Sequence, residues 1–397
     1  MNNLREISDG KLKTTQSNFT RFLMNKVDWE NRLIGISGAR GAGKTTLILQ
    51  HMKSHFGFSE EAIYLELDHF YFAENLLYDF AKQFEKEGGK MLYLDEVHKY
   101  KNWSHDLKMI YDNLTTLKVI FTSSSALEIY KGSHDLSRRV ILHQLPGLSL
   151  REFVFLKYQE QLPVFPLDEL ILNAREISMN LTSEFKPIKF YKEYIQKGYY
   201  PIFTENENMY QEKLLNVLNV VLENDLPIIY KIDFQSVVNL KKLISIISRL
   251  VPYKPNIKNL SEQIGVTRET LLRYLFYLEK AQIVTWIGNE AKGINYLNKP
   301  EKLYLQNTNL IYALAQSLSD TGNVRETFLL NQLVVDNSVT YPEKGDFLVN
   351  EKYIFEVGGK SKTQKQIEGI KNAFIVKDDI EIATGNIIPL WMFGLLY

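Results

Sequence analysis

Short apolar runs alternate with amphipathic segments along the first third of the chain. The runs LIGIS, AIYLEL, MLYLD, KVIFT and VILHQL predict strands at 33–37, 62–67, 91–95, 118–122 and 140–145. Helical spacing between these runs predicts helices at Thr45–His55, Asn75–Lys86 and Trp103–Leu114. Strands that alternate with helices indicate an α/β fold with a mostly parallel sheet covered on both faces.

The pattern changes near Pro146 and predicts further domains. Helical spacing dominates 150–230, a compact helix-rich segment covers 255–290, and from about 324 a helix precedes the strand-like runs FLVN and KYIFEV, another helix and an apolar tail. We therefore expect four parts: a P-loop domain at 1–148, a helical lid or connector at 149–230, a winged-helix-like segment at 231–300, and a C-terminal α/β domain at 301–397.

Charge and cysteine content exclude several classes of protein. The 397 residues include 47 Lys and Arg and 47 Asp and Glu, so the chain is not a uniformly basic nucleic-acid coat protein. No cysteine is present, which excludes disulfide-stapled folds and thiolate metal sites. The N-terminal residues lack an apolar signal-peptide core, and no apolar run approaches the length of about 18 residues that suggests a membrane span. We expect a cytoplasmic protein with no membrane association.

The segment GARGAGKT matches the phosphate-binding pattern G-x-x-x-x-G-K-[ST] in full, between a predicted strand and a predicted helix. Glycines let backbone N–H groups face a phosphate, and the helix N-terminus adds partial positive charge. Lys44 would contact the β- and γ-phosphates, and the Thr45 hydroxyl would bind magnesium. The predicted nucleotide-binding residues are Gly38, Ala39, Arg40, Gly41, Ala42, Gly43, Lys44, Thr45 and Thr46.

A second motif, MLYLDE, is an apolar strand that ends in two carboxylates. Asp95 stands where a Walker B aspartate holds magnesium, and Glu96 could polarise the attacking water as a general base. The extra strand between the two motifs, with an acidic residue after Asp95, resembles the ATPase branch of P-loop proteins.

Two weaker candidates follow the next strand. Ser124, in the run TSSS, could sense the γ-phosphate, although a serine-rich turn is the alternative. Arg139 could act as an arginine finger in cis or from a neighbouring subunit, with a surface salt bridge as the alternative. His98 follows the second motif closely, and the sequence gives it no role.

Residues 258–287 have the form of a helix-turn-helix. Gly265 offers the turn, Thr267 would cap the second helix, and a strand and wing would extend to Lys292 and Gly293. Such a segment could bind DNA, but the same form serves as a protein–protein or interdomain module, and its basic charge is modest.

The order of motifs resembles the AAA_14/DUF4143 family of bacterial and archaeal ATP-binding proteins. The resemblance rests on GARGAGKTT, YLELD, MLYLDEVHK, NWSHDLK, IFTSSSALEI, LSRRVILHQLPGLSLREF and GYYPIF, and covers nearly the whole chain. It implies an AAA+-superclass ATPase with a winged-helix segment and a C-terminal restriction-endonuclease-like domain. It also implies nucleotide and magnesium roles for Gly43, Lys44, Thr45, Asp95 and Glu96. The family usually has Thr-Gly-Ser where this chain has TSSS, and Gly-Arg where it has Arg138-Arg139.

The C-terminal carboxylates resemble an endonuclease core. Glu326, Asp346 and Glu356 would hold magnesium, but the usual Glu-x-Lys has glycine at Gly358, and the nearest lysine is Lys360. We expect an inactive structural or binding domain here.

These observations predict an ATP-binding and ATP-hydrolysing AAA+-like enzyme that uses Mg²⁺ on a RecA-like sheet and acts as a conformational switch. ATP rather than GTP rests on the resemblance. The alternatives are an ATP-dependent nuclease that uses the C-terminal domain and a scaffold that holds ATP without hydrolysing it. The predicted partners are DNA through the winged-helix segment, a protein partner, or further copies of the chain.

Overall fold

The computed structural model describes residues 2–124, 136, 138–288, 300–314, 321–363 and 366–397. The chain divides into two compact units. The first comprises Met1–Gly147 and Ile228–Lys231, and the second comprises Leu148–Pro227 and Ile232–Tyr397. The finer division of the second unit at 230 and 300 stays a prediction.

The first unit is built on a five-stranded sheet with the order β2-β3-β4-β1-β5, in which every pair is parallel. The strands are β1 (Leu33–Ser37), β2 (Ala62–Glu66), β3 (Met91–Asp95), β4 (Lys118–Ser123) and β5 (Ile141–Gln144). All residues of β1 and β3 are buried, because helices cover both faces of the sheet. The architecture is the P-loop α/β fold that the alternating pattern predicts.

Helices of the first unit pack on both faces of this sheet. Leu94 and Phe121 belong to one apolar cluster, whereas Ile36 and Ile120 belong to a second, as expected where successive side chains of a strand point to opposite faces. The predicted helices end within about two residues of the observed bounds. The helices are α1 (Asn2–Thr14), α2 (Lys44–His55), α3 (Tyr71–Glu74), α4 (Leu77–Lys86) and α5 (Trp103–Asn113), with 3₁₀ turns at Phe22–Asn25 and Val97–Lys99.

The second unit begins with a helical region. Its α-helices are α6 (Leu150–Tyr158), α7 (Leu167–Leu172), α8 (Ala174–Thr182), α9 (Pro187–Lys197), α10 (Tyr210–Val220) and α12 (Phe234–Leu250). The short helix α11 (Leu226–Tyr230) crosses the division, since its residues from Ile228 onwards belong to the first unit. A capping box at Ser149 and Glu152 starts α6, and a π-helical turn at Val221–Asp225 follows α10. The helical spacing found after Pro146 is thus realised as predicted.

Two helices and two short strands occupy the segment for which a winged helix was predicted, and its assignment as a winged helix stays a prediction. Gly265, whose φ of 80° is left-handed, is the C-cap of helix α13 (Ile257–Ile264). Thr267 is the N-cap of helix α14 (Arg268–Lys280), and its side chain accepts the N–H of Thr270. An antiparallel pair, β6 (Val284–Ile287) and β7 (Lys302–Leu305), follows. The predicted wing residues Lys292 and Gly293 lie outside the described residues.

A second sheet, with the order β12-β11-β10-β9-β8, completes the second unit. The chain forms no described helix between Gly359 and Asn372, so the helix predicted after KYIFEV is wrong there; the loop instead connects two parallel strands. These elements are α15 (Thr308–Leu314), α16 (Thr321–Leu333), β8 (Val339–Thr340), β9 (Phe347–Val349), β10 (Tyr353–Gly358), β11 (Ala373–Lys377), β12 (Ile387–Pro389) and a 3₁₀ helix at Leu390–Leu395.

No helix among the described residues is long and apolar enough to cross a membrane.

Candidate nucleotide-binding site

The loop between β1 and α2 has the geometry of a phosphate cradle. Gly41 and Gly43 have φ values of 83° and 94°, a region that disfavours other residues, and Gly43 immediately precedes the first turn of α2. A Cβ at Gly38 would overlap the carbonyl oxygen of Leu145, so the third glycine is required for close packing after β5. The loop therefore has the left-handed glycines of a phosphate cradle and leads directly into a helix N-terminus, which favours an anion.

Some side chains of the phosphate loop are buried and others are exposed to solvent. Ala39 and Ala42 are buried in the unit and can contribute only backbone to a ligand, while Thr46 is exposed on the first turn of α2. The ammonium of Lys44 is buried and donates to the carbonyl oxygens of Gly38 at 2.9 Å and Ala39 at 3.0 Å. These bonds hold a positive charge inside the loop, where a phosphate would need it.

Arg21 supports the loop from outside the motif. Its buried guanidinium donates to the carbonyls of Ala42 at 2.6 Å, Pro146 at 2.8 Å and Gly147 at 2.7 Å. One rigid cation thus ties the phosphate loop to the chain that follows β5. Sequence analysis missed Arg21, since nothing in its neighbours indicates a contact with the loop.

Asp95 lies at the carboxyl end of β3 and accepts three hydroxyl hydrogen bonds. Thr45 and Tyr64 donate to Oδ2 at 2.7 and 2.8 Å, and Thr122 donates to Oδ1. Burial first, and then the charge of Asp95, raise the pKa of Tyr64, so the phenol stays a donor. The two predicted metal ligands, Thr45 and Asp95, are therefore adjacent.

The partners Tyr64 and Thr122 were missed by sequence analysis. Tyr64 pairs in register with Tyr93 on β3, and Thr122 is on β4 at the other side of β3. Because the carboxyl ends of parallel strands meet at one edge, polar residues near the ends of AIYLEL and KVIFT were the available signal.

Glu96 points back to the phosphate loop. Its φ of 49° is left-handed, and its N–H donates to the Thr122 hydroxyl at 3.0 Å. Its carboxylate is 3.6 Å from the guanidinium of Arg40 in the loop and also pairs with Lys99. The structure thus places the predicted general base beside a predicted nucleotide-binding residue.

Ser124 follows β4 at the same edge of the sheet. Its Oγ is 3.0 Å from Nε2 of His98, and both side chains are buried. Burial first, and then the cations Lys44, Lys99 and Arg40, lower the pKa of His98 to about 3, so its ring is neutral. The sequence gave no role to His98, which the fold brings to Ser124.

The structure corrects one role predicted for Arg139. This residue precedes β5, which runs parallel to β1, whereas the phosphate loop follows the opposite end of β1. Its guanidinium binds both carboxylate oxygens of Asp112 at 2.8 and 2.9 Å. Arg139 therefore lies at the other edge of the sheet and cannot reach a nucleotide bound by its own subunit. A trans role stays a prediction.

Comparison with sequence families identifies part of the chain. Residues 30–154 match the family described as AAA domain. This segment is similar to AAA domains. It contains the phosphate loop, the β3 carboxylates and Ser124. A second family, described as a domain of unknown function (DUF8612), matches residues 188–321, and the DUF4143 part of the predicted resemblance stays a prediction.

Solved structures resemble the chain at low scores. AMPPCP-bound DnaA from Aquifex aeolicus is 15% identical, with 64% of this chain and 84% of that chain covered and a TM-score of 0.25. NtrX from Brucella abortus with ADP is 18% identical, with 69% and 72% covered and a TM-score of 0.25. PCH-2 from C. elegans is 18% identical, with 38% and 43% covered and a TM-score of 0.23. The chain thus spans less than half of PCH-2, and TM-scores this low carry no conclusion about function. No curated protein matches the chain.

The second unit brings together the C-terminal carboxylates. Lys302 contacts Glu326 at 2.6 Å and Asp346 at 3.4 Å, and Tyr304 donates to Glu326 at 3.0 Å. Burial first, and then Asp346, raise the pKa of Glu326. Among the described residues, no group of three or more His, Asp or Glu side chains is arranged to hold a metal ion.

The lysine that meets the carboxylate of Glu356 is Lys362, and not Lys360, which is the nearest lysine in the sequence. Lys360 is exposed, whereas Lys362 forms an ion pair with the buried Glu356. A Cβ at Gly358 would lie 2.5 Å from Cβ and Cγ of Lys362, so the glycine leaves room for the stem of that lysine. The side chain of Lys362, from the loop after β10, thus occupies the space next to Gly358. In a Glu-x-Lys motif, a lysine at position 358 of the strand would occupy that space.

Proposed function

We propose that the AAA domain binds ATP with Mg²⁺ and hydrolyses it. The observation that carries the proposal is the hydrogen bond between Thr45 and Asp95 beside a phosphate loop that Glu96 faces. A scaffold that only holds ATP could use Asp95 to bind magnesium, but it would not need a general base such as Glu96.

The oxygen ligands at this site suit magnesium. A hydroxyl and a carboxylate are hard donors, and Mg²⁺ commonly takes only one or two protein ligands and completes its shell with water and phosphate oxygens. Thr45 and Asp95 would hold the ion, and the ion would neutralise charge on the phosphates. Lys44 would bind phosphate oxygens in exchange for the loop carbonyls, and Glu96 would accept a proton from water once released from Lys99.

Phosphate release from ATP, measured with and without DNA, tests this function. We expect turnover that requires Mg²⁺ and is lost in EDTA, and GTP should be turned over less well than ATP. Tight ATP binding with no turnover, under single-turnover conditions, would favour the scaffold instead.

We further propose that the helix-turn-helix contacts DNA and that ATP hydrolysis switches this contact. The support is a cleft of about 410 Å³ lined by three exposed cations, Lys254, Lys258 and Arg268, at the start of α13 and α14. Both helix N-termini add partial positive charge there. Cations that contact phosphates would make the affinity fall steeply with salt.

A charge-matched pair of variants tests the DNA contact. The double variant Lys258→Ala/Arg268→Ala should bind a DNA duplex at least about 10-fold more weakly, with a smaller salt dependence. The control Lys82→Ala/Lys86→Ala removes two exposed cations from α4 and should bind like the wild type. Equal binding by both variants would leave the segment as a protein–protein or interdomain module.

A further inference from the structure

His98 lies at the junction of the two strands that carry the proposed chemistry. Strands β3 and β4 are neighbours, and Thr122 already joins them by contacting Asp95 and the N–H of Glu96. The 3₁₀ turn Val97–Lys99 starts at Glu96, whose left-handed φ reverses the chain. That reversal brings the imidazole of His98 over the end of β4, where it meets Ser124.

The environment of His98 determines which nitrogen carries the proton. Its Nδ1 is buried and has no hydrogen-bond partner among the described residues, while Nε2 is 3.0 Å from the Ser124 Oγ. A buried N–H without an acceptor is rarer and costlier than an unused lone pair. The neutral ring therefore carries its hydrogen on Nε2 and donates it to Ser124.

The direction of this hydrogen bond has a consequence for Ser124. Because Oγ accepts from His98, the hydroxyl hydrogen of Ser124 is free to be donated to another acceptor. The charges of Lys44, Lys99 and Arg40 outweigh that of Asp95 at His98, and Lys44 and Arg40 belong to the phosphate loop, so a phosphate bound there would be attracted towards this place. We propose that His98 is a positioning residue that holds the Ser124 hydroxyl as a donor to the γ-phosphate or the attacking water.

This inference rests on the proposed ATPase function and adds a residue that neither the phosphate loop nor the β3 carboxylates include. His98 acts through Ser124 and does not contact the nucleotide itself. Its removal should therefore slow hydrolysis and leave the affinity for ATP unchanged, since the loop and Lys44 provide the binding.

Two substitutions of His98 separate the hydrogen bond from the packing. His98→Gln can place an N–H near the position of Nε2, and His98→Leu fills space without a donor. We expect His98→Leu to lower kcat roughly 10-fold to 100-fold, with unchanged Kd for ATP, and His98→Gln to recover most of the loss. His105→Leu, at an exposed histidine of α5, controls for the substitution and should keep wild-type kcat.

A double-mutant cycle with Ser124→Ala completes the test. If His98 acts through Ser124, the double variant His98→Leu/Ser124→Ala should be no slower than Ser124→Ala alone. Multiplied losses, a His98→Gln as slow as His98→Leu, or an affinity for ATP that falls in step with kcat would each overturn the inference. Thermal unfolding of each variant identifies any that fails to fold, and His98→Gln and Ser124→Ala then provide the comparison.

The experiments distinguish a failure of the ATPase proposal from a failure of the role proposed for His98. A wild-type protein without turnover would refute the ATPase proposal itself. Wild-type turnover that is equal in His98→Leu would refute only the positioning role.

Discussion

The hydroxyl of Thr45 donates a hydrogen bond of 2.7 Å to Oδ2 of Asp95, across a sequence separation of 50 residues. Thr45 is in the first turn of α2 and Asp95 ends β3, so the contact forms only when the parallel sheet is assembled. It brings two oxygen ligands to the place where the phosphate loop and Glu96 also meet. Substitutions among these residues therefore test the proposed nucleotide binding and the proposed hydrolysis separately.

Lys44 and Glu96 should affect different steps. We expect Lys44→Ala to weaken ATP binding by about 10-fold or more, because the phosphates lose a buried cation. Glu96→Gln should keep the affinity and lower kcat by about 100-fold or more, because the base is lost and the loop is intact. Equilibrium binding of a fluorescent ATP analogue and steady-state phosphate release measure the two effects. Equal losses of affinity would contradict this division.

Arg139 and Asp112 offer a matched pair for the trans arginine-finger prediction. Either alanine variant removes their solvent-accessible ion pair, which water screens and which therefore contributes little to stability. Only Arg139→Ala would remove a finger. If Arg139 acts in trans, wild-type turnover per subunit rises with protein concentration, Arg139→Ala abolishes that rise, and Asp112→Ala keeps it. Turnover independent of concentration in the wild type would refute the trans role.

His51 should make the first unit sensitive to acid. The centroid of its ring is 4.1 Å from that of Trp29 and 4.0 Å from that of His55. Burial first, and then the charges of His55 and Lys118, lower the pKa of His51 to about 3. An unfolded histidine has a pKa of about 6.5, so only the unfolded chain binds this proton as pH falls from there towards 3. Stability is thus lost as pH falls, by up to about 1.4 kcal/mol per pH unit for one group.

The variant His51→Phe tests this linkage, because it keeps an aromatic ring in the stack and cannot bind a proton. It also loses the 2.7 Å hydrogen bond to Tyr93, so its Tm at pH 7.5 should be below that of the wild type. Between pH 7.5 and 5 its Tm should nevertheless fall less than the wild-type Tm. His105→Phe, at an exposed position, should fall like the wild type. The same pH-dependent fall in all three proteins would show that His51 does not contribute.

The C-terminal cluster should not cleave DNA with Mg²⁺ or Mn²⁺. Lys302 and Lys362 already pair with the carboxylates of Glu326, Asp346 and Glu356, so a metal ion would have to displace both. A plasmid-nicking assay checks this expectation. Cleavage that persists in Lys360→Ala but disappears in Glu356→Ala and Lys362→Ala, with ATP turnover intact, would establish the nuclease alternative.

The local pattern of apolar and polar residues was enough to predict the strands of the first unit and the phosphate loop. Because β-strands of a buried parallel sheet are short continuous apolar runs, the five strands of the first unit could be placed within a residue or two. The phosphate loop was equally readable, since its glycines, Lys44 and Thr45 act from one continuous segment. Weak patterns were less reliable: β11 was not predicted, because AFIVK follows a segment with helical character.

Only the tertiary structure decided which distant residues meet. Tyr64, Thr122 and His98 reach the site because β2, β3 and β4 are neighbours in the sheet. The order of strands in a sheet cannot be predicted from the sequence of any one strand. Because β5 is parallel to β1, Arg139 lies at the amino ends of the strands, whereas the phosphate loop lies at their carboxyl ends. The sequence around Arg139 had favoured an arginine finger. Lys362 rather than Lys360 meets Glu356, because Gly358 has no side chain and leaves room for the stem of Lys362. Composition and periodicity report what a segment buries, whereas a site depends on contacts between segments far apart in the chain.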